Sequence, residues 1–155
     1  MSELVVAPDD PRSDDVRAVL EGHLAFSYAT TAPEHVFSLD LDGLTAPGMH
    51  FVSARRDGAV VGIGALKVHD ERLGELKSMH TVAAARGQGV ARAIVERLLD
   101  LACELGLQRV SLETGSQDAF APARALYLSL GFEPCGPFAG YEDIPSSAFL
   151  TRLVR

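Results

Sequence analysis

Apolar and polar residues alternate along this chain with two periods, and the switches between them mark its elements. Glu3–Ala7 (ELVVA) has the two-residue period of a strand and is closed by the turn-rich PDDPRSDD. Ser13 or Asp14 then caps a helix reaching about Tyr28, whose apolar side carries Val16, Val19, Leu20, Leu24 and Phe26. TAPEHVFSLDLDGL predicts a short helix beginning at Pro33, followed by a loop. MHFVSARRDGAVVGIGALKVHD reads as a hairpin of two β-rich runs joined at Asp57-Gly58. Gly74–Val82 (GELKSMHTV) follows as a strand with one polar face.

From Val90 onwards the period becomes helical, with apolar residues at Val90, Ile94, Val95, Leu98, Leu101, Ala102 and Leu105, and Gly106 as the stop. Arg109–Thr114 is a strand with Val110, Leu112 and Thr114 on one face. Pro122 suits the first turn of a helix whose shared face is Ala123, Leu126, Tyr127 and Leu130, ended by Gly131. FEPC and SAFLTRLVR supply one or two closing strands. The order β-α-α-β-β-β-α-β-α-β-β describes an α/β layer with an antiparallel N-terminal meander and one central βαβ crossover.

Composition narrows the function classes. A chain of 155 residues, 47% of them hydrophobic, is expected to fold as one domain, residues 1–155, around a real core. Its formal net charge of -7 argues against nucleic-acid binding, which needs Lys and Arg to neutralise phosphates, and leans towards a cationic or amine-bearing partner. Cys103 and Cys135 make no CxxC and no disulfide framework, and Cys103 reads as core or half-buried filler of its helix. The five histidines lack metal-ligand spacing, so no metal site is expected. Without a basic-apolar leader or an apolar run approaching 18 residues, the expectation is a soluble cytoplasmic protein that does not engage membranes.

The chemistry concentrates where the strand Gly74–Val82 gives way to the long helix, at AAARGQGVAR. A helix N-terminus carries unpaired N–H groups and about half a positive charge. Gly87 and Gly89 bare that turn, Ala91 keeps the first helical turn narrow, and Arg86 and Arg92 flank it with positive charge. Such a turn holds a pyrophosphate mainly by backbone. It is not a Walker A loop, which needs G-x-x-x-x-G-K-[ST], nor a G-x-G-x-x-G/A dinucleotide turn, because Arg92 fills the third small position. GIGALK fails in the same way at Lys67.

What remains is [QR]-x-x-G-x-[GA], met by Arg86, Gly89 and Ala91, with MHT upstream and ARALYLSLGF (Ala123–Phe132) downstream. This combination resembles the GNAT superfamily of acyl-CoA-dependent N-acetyltransferases. KSM, LETGS and LYLSLGF are similar to a subgroup of small bacterial members with mostly unassigned acceptors. The resemblance spans nearly the whole chain and is strongest over Gly74–Phe132. It implies a single α/β domain with a mixed, mostly antiparallel central sheet, flanking helices, and a splayed parallel pair made by the fourth and fifth strands.

By that resemblance, acetyl-CoA is the co-substrate. Its pyrophosphate lies on Arg86, Gly87, Gln88, Gly89, Val90, Ala91 and Arg92, and its pantetheine arm along the backbone of Met79, His80 and Thr81. Backbone N–H groups around Met79–Val82 would serve the developing oxyanion. Tyr127 matches the family's helix tyrosine, a proton donor to the leaving thiolate, against a bland reading as a core tyrosine. Glu75, 11 residues before Arg86, and Glu113 both match glutamate bases of different branches, with solvent water as the further option and an ordinary strand salt bridge as the bland one. Many relatives carry a cofactor-binding Asn where this chain has Phe120, leaving Asp118 or Gln117, or neither, to replace it. Tyr28, His35 and Tyr141 are candidate acceptor-lining residues. The expected activity is transfer of an acetyl group to a small-molecule or peptide amine by direct attack, within a possible homodimer. The alternative is a non-catalytic acyl-CoA-binding sensor or interaction module.

Overall fold

The computed structural model describes residues 2–35 and 41–154. Its strands are β1 (Leu4–Pro8), β2 (Met49–Arg56), β3 (Ala59–Val68), β4 (Leu73–Thr81), β5 (Arg109–Gly115), β6 (Glu133–Pro134) and β7 (Ser147–Leu153). They form one seven-stranded sheet in the order β1-β2-β3-β4-β5-β7-β6. Every pairing is antiparallel except β4–β5. The helices are α1 (Asp14–Thr30), α2 (Leu41–Leu44), α3 (Val90–Glu104) and α4 (Ala121–Ser129).

The expected elements form, with local adjustments. Ser13 occupies the N-cap of α1, but its hydroxyl donates to Asp10 O and Asp15 Oδ1 instead of capping the helix. The helix expected from Pro33 is a 3-10 turn over Pro33–His35, the single turn α2 follows at Leu41, and residues 36–40 lie outside the described residues. Asp57 and Gly58 take positive φ (53° and 80°), the geometry that joins β2 to β3 in two residues. Gly106 (φ 79°) ends α3 with Leu107 N donating back to Ala102 O, the expected left-handed stop. Cys103 departs from expectation: it is exposed on α3, because the buried stripe is carried by Val90, Ile94, Val95, Leu98, Leu99 and Ala102.

The sheet has two differently covered faces. On one, α3 buries Ile94, Val95 and Leu98 against Leu66, Leu76, Val110 and Leu112, with Tyr127 of α4 joining the cluster. On the other, Val16, Val19 and Leu20 of α1 pack on Phe51, Ile63 and Ala65. The α3 face has no room above β3: a Cβ on Gly64 would lie 2.6 Å from both Ile94 Cγ2 and Met79 Sδ. GIGALK therefore uses its glycines for close helix–sheet approach, consistent with its failure as a phosphate loop.

A bulge in β4 sets the site. Ile63 pairs with His80 and Ala65 with Lys77, so Ser78 and Met79 together oppose Gly64. Ser78 takes the positive φ (56°) of the extra residue. Before it, Glu75 and Lys77 share the α1 face with Ala65; after it, Met79 packs beneath α3 and His80 returns to the α1 face beside Ile63. Replacing Gly64 with Val is expected to lower stability by about 1–3 kcal/mol through overpacking against Ile94 and Met79. The check is a urea unfolding midpoint that falls while the slope of the transition is unchanged.

Candidate active site

The parallel pairing of β4 with β5 runs only from Leu73↔Arg109 to Leu76↔Leu112. Beyond it the strands part, and the inward edge of β4 from Lys77 to Thr81 loses its strand neighbour. A cleft of about 610 Å³ fills the gap and continues to the N-terminus of α3. Of the residues expected to form the site, Glu75, Met79, His80, Thr81, Arg86, Gly87, Gly89, Val90, Ala91, Arg92, Glu113 and Tyr127 all line it. Gln88 does not: its side chain accepts from Arg56 Nη1 (2.6 Å), donates to Ala84 O (3.3 Å), and braces the turn from behind.

At the α3 end, Gly87 (φ 76°) and Gly89 (φ 82°) hold left-handed conformations that leave the turn open. A Cβ on either would meet nothing within 4 Å, so their freedom serves backbone conformation and an open approach, not internal packing. Gly89 is the N-cap of α3 and brings no side-chain cap, leaving the first-turn N–H groups to face the cleft. Arg86 lies with its guanidinium carbon 5.9 Å from the Phe26 ring centroid, and Arg92 donates to Ser129 Oγ (2.8 Å).

At the opposite end the α1 face carries charge. Glu75 is 2% exposed and meets three donors: His69 Nε2 at 2.8 Å on Oε1, and Tyr141 Oη at 2.6 Å and Lys77 Nζ at 3.3 Å on Oε2. Lys77 also donates to Tyr141 Oη (2.8 Å). Tyr141 comes from the segment between β6 and β7, which is held over this face by ring contacts among Phe138, Tyr141 and Phe149 at 5.3–6.0 Å. Glu113, on β5, has its carboxyl pushed up to about 7 by burial, against the opposing pull of a Ser147 hydrogen bond and the Lys77 charge. The buried phenol of Tyr127 is pushed up as well, so it holds its proton at neutral pH.

Two histidines face each other across the α1 side, His23 Nδ1 and His80 Nδ1 standing 3.4 Å apart. Burial and the neighbouring His80 bring His23 down to about 4, and burial with Arg86 lowers His80, so this wall is uncharged at neutral pH. Of the candidate acceptor residues, His35 and Tyr141 line the cleft, while Tyr28 is exposed elsewhere. Phe120 lines it with its ring against Phe26 at 5.4 Å. Neither Gln117 nor Asp118 lines it, and the Gln117 amide nitrogen donates to Thr30 O and Thr31 Oγ1. His69 and His23 carried no sequence signal. The first reaches Glu75 only through the turn that bonds His69 N to Leu73 O, and the second is 57 residues from His80. Among the described residues no group of three or more His, Cys, Asp or Glu is placed to hold a metal, and no helix is long and apolar enough to cross a membrane.

A parallel pair that opens above a helix start stripped of side chains is the geometry of an acyl-CoA transferase cleft. The sequence profile of the acetyltransferase (GNAT) family matches residues 17–132. The uncharacterized N-acetyltransferase YsnE of Bacillus subtilis is 40% identical over 144 residues, covering 93% of this chain and 95% of its own. The uncharacterized N-acetyltransferase YedL of Escherichia coli is 38% identical over 146 residues, covering 94% and 92%. A crystal structure from Klebsiella pneumoniae, 24% identical, superposes with a TM-score of 0.84 over 98% of each chain. This chain belongs to the GNAT family of acetyltransferases.

The Glu113 environment has a stability signature. Its folded pKa of about 7 lies above the ordinary 4.5, so its contribution is fully present below 4.5 and is lost as pH rises through 7. Glu113→Gln removes that loss. The variant is expected to exceed the native protein in stability above pH 7, on the order of 2 kcal/mol, with the gap closing towards pH 4.5. Urea midpoints measured across that range test it.

Proposed function

We propose that this protein transfers the acetyl group of acetyl-CoA to a primary amine by direct attack, with Glu113 as base and Tyr127 as acid. One observation carries the reading: a bared helix N-terminus, an unpaired strand edge, a protonated tyrosine and a proton-accepting carboxyl line one continuous cleft.

The residues present fit the co-substrate. The first-turn N–H groups of α3, with Arg86 and Arg92, suit a pyrophosphate. The free edge of β4 suits the amide-bearing arm, which takes the place of a strand. Ser78 Oγ, buried at the bulge and lining the cleft, has no partner among the described residues and is available to it. Acetyl-CoA supplies an activated thioester, and the rest of the chemistry falls to side chains and backbone of this chain.

An ammonium has no lone pair, so the acceptor must lose a proton before it attacks. Glu113 titrates close to neutral pH, which makes it a carboxylate for part of the population and a good proton acceptor. Glu75 is less suited: its oxygens already accept from His69, Tyr141 and Lys77, and a proton taken there would dismantle that arrangement. Glu75 instead positions Tyr141 and Lys77. Backbone N–H groups at the β4 bulge would serve the oxygen on which charge develops. Tyr127 gives its phenolic proton to the departing sulfur and recovers one from solvent.

Gly89→Glu, which brings a carboxylate to the phosphate turn, is expected to weaken acetyl-CoA binding about a hundredfold or more by calorimetry while circular dichroism shows a folded protein. Normal binding by such a folded variant would mean the pyrophosphate lies elsewhere. Tyr127→Phe is expected to lower kcat about tenfold or more with acetyl-CoA affinity unchanged. In thiol-release assays the native kcat/KM should rise with pH through about 7, a limb that Glu113→Gln removes. Acetyl-CoA binding without thiol release across a broad amine panel would instead identify a non-catalytic binding module.

A further inference from the structure

The acceptor end of the cleft holds a cation that a plain amine acceptor would not want. Lys77 lines the cleft with its side chain only 9% exposed. Its ammonium has three N–H donors. One goes to Tyr141 Oη at 2.8 Å and one, at a longer 3.3 Å, to Glu75 Oε2. The third has no partner among the described residues. Glu75 in turn divides its charge among His69, Tyr141 and Lys77, so it compensates the ammonium only in part.

The place of Lys77 in the sheet matters as much as its charge. The last paired residues of β4 and β5 are Leu76 and Leu112. Lys77 and Glu113 are the next pair out, at the point where the strands part, and both lie on the α1 face, where Lys77 acts electrostatically on Glu113. The neighbouring wall of His23 and His80 is uncharged at neutral pH. Arg86 and Arg92 belong to the phosphate end. Among the described residues the acceptor end therefore presents a proton-accepting carboxyl and, beside it, an ammonium with an unused donor.

An acceptor arriving as a simple ammonium is drawn to Glu113 and repelled by Lys77. One that carries a carboxylate next to its amine meets both groups favourably, because a desolvated charge is worth most when it finds an opposite partner. The spare N–H of Lys77 accommodates that partner without breaking the contacts to Tyr141 and Glu75. We infer that the acceptor is a free α-amino acid, its carboxylate held by Lys77 and its amine presented to Glu113. This rests on the transfer reading above and goes beyond it by naming the substrate class. It also reverses the lean of the net charge, since the local cation, not the acidic surface, meets the substrate.

The test is thiol release from acetyl-CoA with a panel of free amino acids, each matched with its amide and its decarboxylated amine. For the best acceptor, kcat/KM is expected to exceed that of the amide and of the amine by about tenfold or more. Lys77→Met should bring these ratios to within about twofold of unity while acetyl-CoA affinity, read by calorimetry, stays the same. Amides or amines that match the amino acids, or a folded Lys77→Met protein that keeps the preference, would overturn the inference and leave the transfer reading standing. Should Lys77→Met fail to fold, the native ratios decide alone. If acetyl-CoA binds but no acceptor releases thiol, it is the transfer reading that fails. Calorimetric titration of the CoA-loaded protein with the same amino acids and amides then decides the acceptor class. Tighter binding of the amino acid supports it, and equal or absent binding overturns it.

Discussion

The loss of pairing between β4 and β5 after Leu76↔Leu112 is the constraint from which the rest of this molecule follows. A parallel pair normally continues until its strands end, because each residue added satisfies further backbone groups. Here the bulge at Ser78 and Met79 bends β4 away, and Met79 is held in its new place by Gly64 and the underside of α3. The unpaired edge that results is costly unless something else bonds to it. In the proposed reading a ligand that runs like a strand meets that need, which would connect the missing side chain at Gly64 to binding on the far side of β4.

The two ends of the cleft work by different physics. At the α3 end the exposed groups are backbone dipoles, oriented by the helix and uncovered by Gly87 and Gly89, and side-chain identity matters mainly through absence. At the acceptor end the working groups are charged or titratable side chains on a largely buried floor, where each charge is tied to a partner: Glu75 to three donors, Lys77 to two acceptors. Glu113 is the group whose ionisation is left near balance, because burial raises it while Lys77 and Ser147 pull it back. That difference is what supports the proposal of Glu113 as base.

Much of this was legible along the chain. Helix and strand periods, the Asp57-Gly58 turn and the stops at Gly106 and Gly131 are local properties, decided by which φ and ψ a few neighbouring residues accept. The glycine-bared turn was legible for the same reason, since a helix N-terminus and its flanking residues are contiguous. Cys103 lies off the buried stripe of α3 although Ala102 and Leu107 on either side of it are in the core, because helical spacing shows where a stripe lies but not how wide a stripe the sheet covers.

Other features had no one-dimensional trace. Nothing in KSMH shows that Ser78 is an extra residue; packing of Met79 against Gly64 and Ile94 decides it, and with it which side chains of β4 lie on the α1 face. Glu75 was visible as a strand carboxylate, but its partner Tyr141 lies 66 residues away on a segment without regular structure. The sequence by itself therefore determined the elements, their order and the glycine-bared turn before α3, because these depend on local sterics and backbone polarity. Tertiary structure alone decided that Glu75 is held by three donors while burial pushes Glu113 up towards neutral pH, because ionisation depends on burial and on charges brought together from distant parts of the chain.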